Sequence, residues 1–134
     1  MNDAAIQRDA SEMRRGVLII LVLLLLKNEN HGYAVRLSLE KLGVTIKEGT
    51  LYPLLRRLES SGYLLGRWDT RGDRMRKFYV ITSDGESYAT TMFDQFYRLA
   101  DIVREVSQRN SPGARDVLAP GEDVTHHDFQ EVSA

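Results

Sequence analysis

Ten consecutive apolar residues, Val17 to Leu26, are the strongest constraint in this sequence. Arg14–Arg15 precede them and Lys27-Asn28-Glu29-Asn30 closes them off. An arginine pair before an apolar run has the outline of an export signal, but no small-x-small cleavage site follows. A membrane span needs about 20 apolar residues, so no membrane partner is expected. What remains is a helix without a polar face over its last turns. Such a helix is buried nearly all round, as it is between two subunits. Leu18, Leu21, Val22 and Leu25 are therefore assigned to a subunit contact.

The rest of the chain divides around this run. Residues 1–10 are polar and expected to be flexible. Ser11 can cap the helix that ends near Lys27. Asn30 can cap a second helix over His31–Leu42, which Gly43 ends. A third covers about Glu48–Ser61. Its Leu51, Leu54, Leu55 and Leu58 fall on one helical face, and Pro53 fits only its first turn. Leu64–Trp68 and Arg76–Ile81 read as two strands around the turn residues Asp69–Asp73. Ser83-Asp84-Gly85-Glu86 reads as a capping box. It opens a helix to about Arg109, roughly 40 Å long at 1.5 Å per residue. In that helix Ala89, Met92, Phe96, Leu99, Val103 and Val106 are spaced 3, 4, 3, 4, 3, the a/d rhythm of a subunit seam. Residues 110–134 hold one Arg and five Asp/Glu and read as a flexible acidic tail. Its His126-His127 pair lacks the further ligands a metal site needs.

Three short helices, a two-stranded hairpin and a long helix give a mainly α fold with a small β-hairpin. That order is a winged helix-turn-helix domain over residues 11–82, followed by a dimerisation helix over 83–109. The third helix is then the one that enters the major groove. With its leucine stripe facing the core, its other face carries Gly49, Pro53, Arg56 and Ser60, flanked by Thr50, Tyr52 and Arg57, with Lys47 just before it. Small residues permit close approach, the helix start favours phosphate, and the arginines reach phosphate or a guanine edge.

Net charge is −1, which looks unsuited to a nucleic-acid partner. Its distribution is not. Residues 31–80 carry ten Lys/Arg against five Asp/Glu, and residues 81–134 carry four against ten. The hairpin concentrates the positive charge in Arg67, Arg71, Arg74, Arg76 and Lys77, opposed only by Asp69 and Asp73, as suits a wing gripping DNA. Trp68 is assigned to packing at the strand base. The chain has no cysteine, which excludes disulfides, thiolate catalysis and cysteine-held zinc and suits a reducing, cytoplasmic setting. No nucleophile elbow, phosphate loop or dinucleotide fingerprint is present. An enzyme is not expected, nor is a cofactor or metal. A winged-helix protein-interaction module and a small-molecule carrier remain as alternatives without DNA binding.

Several stretches together carry a resemblance. They are His31-Gly32-Tyr33-Ala34-Val35, Gly49-Thr50-Leu51-Tyr52-Pro53-Leu54-Leu55-Arg56-Arg57-Leu58-Glu59, Gly62-Tyr63-Leu64, Arg76-Lys77-Phe78-Tyr79, and Ile81-Thr82 with Gly85. In this combination the chain resembles the PadR family of transcription regulators over about residues 16–106, in its shorter branch with one C-terminal helix. The resemblance implies a homodimeric winged-helix repressor on a palindromic DNA operator. It implies control of the chain's own promoter and of a neighbouring transporter or detoxification gene, with release by a small aromatic effector. It places Tyr33, Thr50, Tyr52 and Arg56 at the DNA and Arg76–Lys77 in the wing. Some short relatives stack flat ligands on a tryptophan in the long helix. This chain has none there, leaving Phe93, Phe96 and Tyr97 as candidate ligand contacts. The family offers no role for the tail beyond Asn110.

Overall fold

The computed structural model describes residues 2–109; the expected acidic tail and His126-His127 lie outside them. The first helix, α1, runs Asp3–Leu25 and starts eight residues before Ser11. Asn2 caps it, its Oδ1 accepting the amides of Ala4 and Ala5 at 3.1 and 3.3 Å. Residues 3–10, expected to be flexible, belong to this helix. Helix α2 spans Gly32–Lys41, with His31 rather than Asn30 as its N-cap. Helix α3 spans Glu48–Ser60. Gly43 and Gly62, just beyond these two helices, have φ of +89° and +84°, the left-handed turn that ends a helix most cheaply at glycine.

The sheet has three strands where two are expected. Residues Asn30–His31 form β1, Leu64–Asp69 form β2 and Arg76–Ile81 form β3, in the antiparallel order β1-β3-β2. The wing is thus stitched to the chain just ahead of α2. The long helix α4 runs Ser83–Arg109, but Thr82, not Ser83, caps it. The Thr82 Oγ1 accepts the Gly85 amide at 3.0 Å and donates to the Gly62 carbonyl at 2.6 Å. A serine at 83 has no such neighbour to face.

The described residues fall into two compact units that divide after Ala89. In the first, Val22, Leu23, Leu26, Val35, Leu39, Leu51 and Leu55 are fully buried, joined by Leu58, Leu64, Tyr79 and Ile81. At about 25 cal/mol per Å² of apolar surface removed from water, this leucine-rich centre is the main stabilising term. No residue of Val17–Leu26 is exposed. The structure divides the expected subunit contacts. Leu18, Val22 and Ala89 are buried within the single chain and serve its own core, while Leu21, Leu25 and Met92 are half-buried. Phe96, Leu99, Val103 and Val106 are exposed, between 41% and 68%. Among the described residues no helix is long and apolar enough to cross a membrane.

Candidate nucleic-acid interface

The start of α2 and the exposed face of α3 are fitted together by one glycine. A Cβ on Gly32 would lie 2.5 Å from Tyr52 Cε1 and 3.2 Å from Leu55 Cδ1. Its absence lets the Tyr52 ring lie flush against the helix start. The flanking His31 Nδ1 accepts the Ala34 amide at 3.3 Å. Tyr33 follows, half exposed, its ring nearly parallel to His31 and covered on one side by the Arg36 guanidinium at 5.3 Å. His-Gly-Tyr therefore supplies a cap, a space and a projecting phenol.

On α3 the leucine stripe behaves as its spacing predicts. Leu51, Leu55 and Leu58 are buried and Leu54 half-buried, while Gly49, Thr50, Pro53, Arg56, Arg57 and Ser60 are exposed. Lys47 occupies the N-cap position without a side-chain hydrogen bond, and its carbonyl accepts the Thr50 and Leu51 amides at 3.0 Å. A cleft of about 860 Å³ separates this face from the wing. Tyr33, Tyr52, Arg56, Arg74, Arg76 and Lys77 all line it, along with His31 and Trp68. Lys47 and Thr50 instead border a smaller cleft of about 210 Å³ with Arg14 and Arg15 of α1, two cations the sequence reading did not connect to this face. Gly49, Pro53, Arg57 and Arg71 line neither cleft.

Ion pairing sorts the cations. Arg67 is bonded to Glu29 through Nε at 2.9 Å and through Nη2, with its guanidinium 5.0 Å from the Phe78 ring centre. The Glu29 carboxyl is held below its ordinary range by that hydrogen bond. At the wing tip Arg71 bonds Asp69 through Nε at 3.1 Å and through its own amide at 3.0 Å, which lowers the Asp69 pKa. Lys77 Nζ donates to Glu59 Oε1 at 2.6 Å, across Gly66. Its ammonium also lies 5.6 and 5.4 Å from the Trp68 and Tyr79 ring centres. The hydrogen bond to Glu59 raises the Lys77 pKa. By contrast Arg56, Arg57, Arg74 and Arg76 have no carboxylate partner among the described residues. Arg56, Arg74 and Arg76 face the cleft, and Arg57 is exposed outside it.

Trp68 is a correction. It does not pack at the strand base. It is 59% exposed, across the hairpin from Lys77, and forms a wall of the cleft. In the second unit, Phe93 and Tyr97 have ring centres 4.7 Å apart, and Phe96 meets Tyr97 edge-on at 5.3 Å, so the three candidate ligand contacts form one aromatic cluster.

Known proteins share this fold. Residues 20–91 match the transcriptional regulator PadR-like family. A PadR family transcriptional regulator from Eggerthella lenta shares 39% identity, covering 81% of this chain and 96% of that one, with a TM-score of 0.77. A PadR-like transcription factor from Bacteroides fragilis shares 32% identity over 74% of this chain and 98% of its own, with a TM-score of 0.62. The transcriptional regulator Rv3488 of Mycobacterium tuberculosis is 34% identical over 79 residues, 59% of this chain and 71% of that protein. The fold, the open arginine face and these matches together make this chain a member of the PadR-like family of transcriptional regulators, a DNA-binding regulator with a winged helix-turn-helix fold.

Proposed function

We propose that the chain is a homodimeric, ligand-responsive repressor of its own promoter and of a neighbouring transporter or detoxification gene. The observation that carries the DNA contact is the selective openness of four arginines. Among the described residues Arg56, Arg57, Arg74 and Arg76 lack carboxylate partners, and three of them border one cleft with Tyr33 and Tyr52. In this reading α3 enters the major groove through Gly49, Thr50, Pro53 and Arg56. Lys47 and Arg57 meet flanking phosphates, and Arg74 and Arg76 grip the backbone from the wing. Lys77 serves by holding the wing to α3.

The exposed Phe96, Leu99, Val103 and Val106, at seam spacing along α4, support pairing of two copies. A two-fold dimer implies a palindromic operator with half-sites about 34–36 Å apart. The Phe93, Phe96 and Tyr97 cluster supports a small aromatic effector. The test is a gel shift of the DNA upstream of the chain's own gene, over a salt series. The expected result is a shift that weakens steeply with salt and is lost in Arg56→Ala/Arg74→Ala while light scattering still reports a dimer. An unshifted upstream fragment, with and without aromatic effectors, would remove self-regulation.

A further inference from the structure

The short strand β1 brings His31 beside the wing. His31 pairs with Phe78 of β3, and its imidazole stands edge-on to the Phe78 ring at 5.4 Å. Arg76 lies two residues before Phe78, on the same face of that strand. Its Nη1 reaches within 3.5 Å of His31 Nε2. A neutral imidazole has one lone pair and one N–H. The lone pair on Nδ1 already accepts the Ala34 amide, so the proton resides on Nε2. The Nε2–H and the guanidinium of Arg76 are then both donors, facing one another with no acceptor between them. Were Nε2 to accept from Arg76 instead, α2 would lose its cap. Burial and the nearby Arg76 charge push the His31 pKa down, favouring the neutral ring that the cap needs. Neither carboxylate in the wing relieves the pair: Asp69 is bonded to Arg71, and Arg76 has no carboxylate partner among the described residues.

We infer that His31 Nε2 and Arg76 form a clasp for one phosphodiester oxygen of duplex DNA. Resting on the DNA-binding reading, the inference adds to it a shared contact. One oxygen between the two donors turns a donor–donor confrontation into two hydrogen bonds, one of them charge-assisted. Because His31 caps α2 and Arg76 belongs to β3, the same phosphate ties the helix-turn-helix to the wing. A free phosphate ion has the same acceptor chemistry. The continuity of the site with the cleft lined by Tyr52, Arg56 and Arg74 favours a phosphate within a duplex.

His31→Asn separates the two duties of the histidine, since an asparagine oxygen caps a helix well but offers nothing at the Nε2 position. Binding of a mixed-sequence duplex is measured by fluorescence anisotropy over a salt series, for the full chain, His31→Asn, Arg76→Gln and the double variant. His31→Asn is expected to weaken binding about tenfold, the lower end for a hydrogen bond to a charged group. Arg76→Gln should weaken it and reduce the slope of log K against log salt by about 0.9, one phosphate's worth. The double variant should be little weaker than Arg76→Gln, because both groups serve one oxygen. Full-strength binding by His31→Asn, or additive losses, would overturn the clasp while leaving DNA binding in place. Failure of the unmodified chain to bind any duplex would overturn the underlying reading instead. Imidazole ¹⁵N resonances of the unmodified chain supply a readout that needs no variant. Duplex should move the Nε2 signal of His31, and an unmoved signal overturns the clasp. An equal movement with inorganic phosphate at the same phosphate concentration overturns the assignment to DNA.

Discussion

Two helical glycines should respond in opposite directions to the same substitution. Gly85 is buried in the first turn of α4. A Cβ there would come closer to the Tyr63 carbonyl oxygen than the 3.0 Å that real Cβ atoms keep, and would lie 2.8 Å from Ile81 Cγ1. The crowded oxygen belongs to the backbone and already accepts the Thr82 amide at 3.0 Å, so it cannot turn aside without breaking the β3-to-α4 corner. Alanine gains at most about 1 kcal/mol of helix propensity. Overpacking costs about 1–3 kcal/mol, and the strained hydrogen bond costs about 1 more. The clash wins by about 2 kcal/mol. At roughly 4–8 °C per kcal/mol for a domain of this size, Gly85→Ala should lower the melting temperature by about 10 °C. Gly16, exposed in the middle of α1, meets nothing within 4 Å. There the propensity gain stands alone, and Gly16→Ala should raise melting by about 5 °C. Far-UV circular dichroism on the two variants decides the matter. A Gly85→Ala protein that melts at or above the unmodified temperature refutes the packing argument.

Lys77→Met keeps the stem beside Trp68 and Tyr79 but removes the bond to Glu59. It should cost about 1 kcal/mol of stability and weaken DNA binding without changing its salt slope, whereas Arg74→Gln lowers the slope by about one; a fallen slope for Lys77→Met returns Lys77 to the phosphates. Because folding raises the Lys77 pKa, the contribution of this ion pair is whole below the ordinary 10.5 and fades as pH rises through the raised value. Phe96→Asp should yield monomers by light scattering with an unchanged circular dichroism spectrum, and a persistent dimer refutes the α4 seam. Folding lowers the His31 pKa from 6.5, so the folded chain binds fewer protons there. Stability should decline as pH falls below 6.5 toward the lowered value, and His31→Asn should flatten that part of the urea-midpoint profile.

What the sequence made legible followed from periodicity. The leucines of α3 repeat at 3, 1 and 3 residues, and a helix that buries Leu51 must also bury Leu55 and Leu58. The two hairpin strands end within a residue of their expected bounds because β-branched and aromatic residues give way there to turn residues. Where the pattern is not apolar, the same reasoning goes silent. The first half of α1 has no stripe, only good helix formers such as Ala4, Ala5, Glu12 and Met13, so nothing apolar marks its start at Asp3. Strand β1 is two residues long, too short to alternate, and exists because the edge of β3 is there to receive it. Between Thr82 and Ser83, either of which caps well, the choice depends on the Gly62 carbonyl, a neighbour 20 residues away.

The interface shows the same division at the level of charge. Counted along the chain, the hairpin offers five cations against two acids, and all five look available. In the fold, Arg67 goes to Glu29, 38 positions away, and Lys77 to Glu59, 18 positions away. Arg71 is held by its near neighbour Asp69. The acids that claim the first two lie outside the hairpin, so no local count could have found them. Subtracting them leaves Arg74 and Arg76 on the wing, joined by Arg56 and Arg57 from α3. Ion pairs this exposed contribute little to stability, yet they decide orientation. The Arg67 and Lys77 pairs fix wing residues to the body of the domain, and the unmatched arginines become the groups through which the wing can meet phosphate. A basic segment therefore identifies the element that approaches DNA, while the acids elsewhere in the sequence select which of its cations can bind.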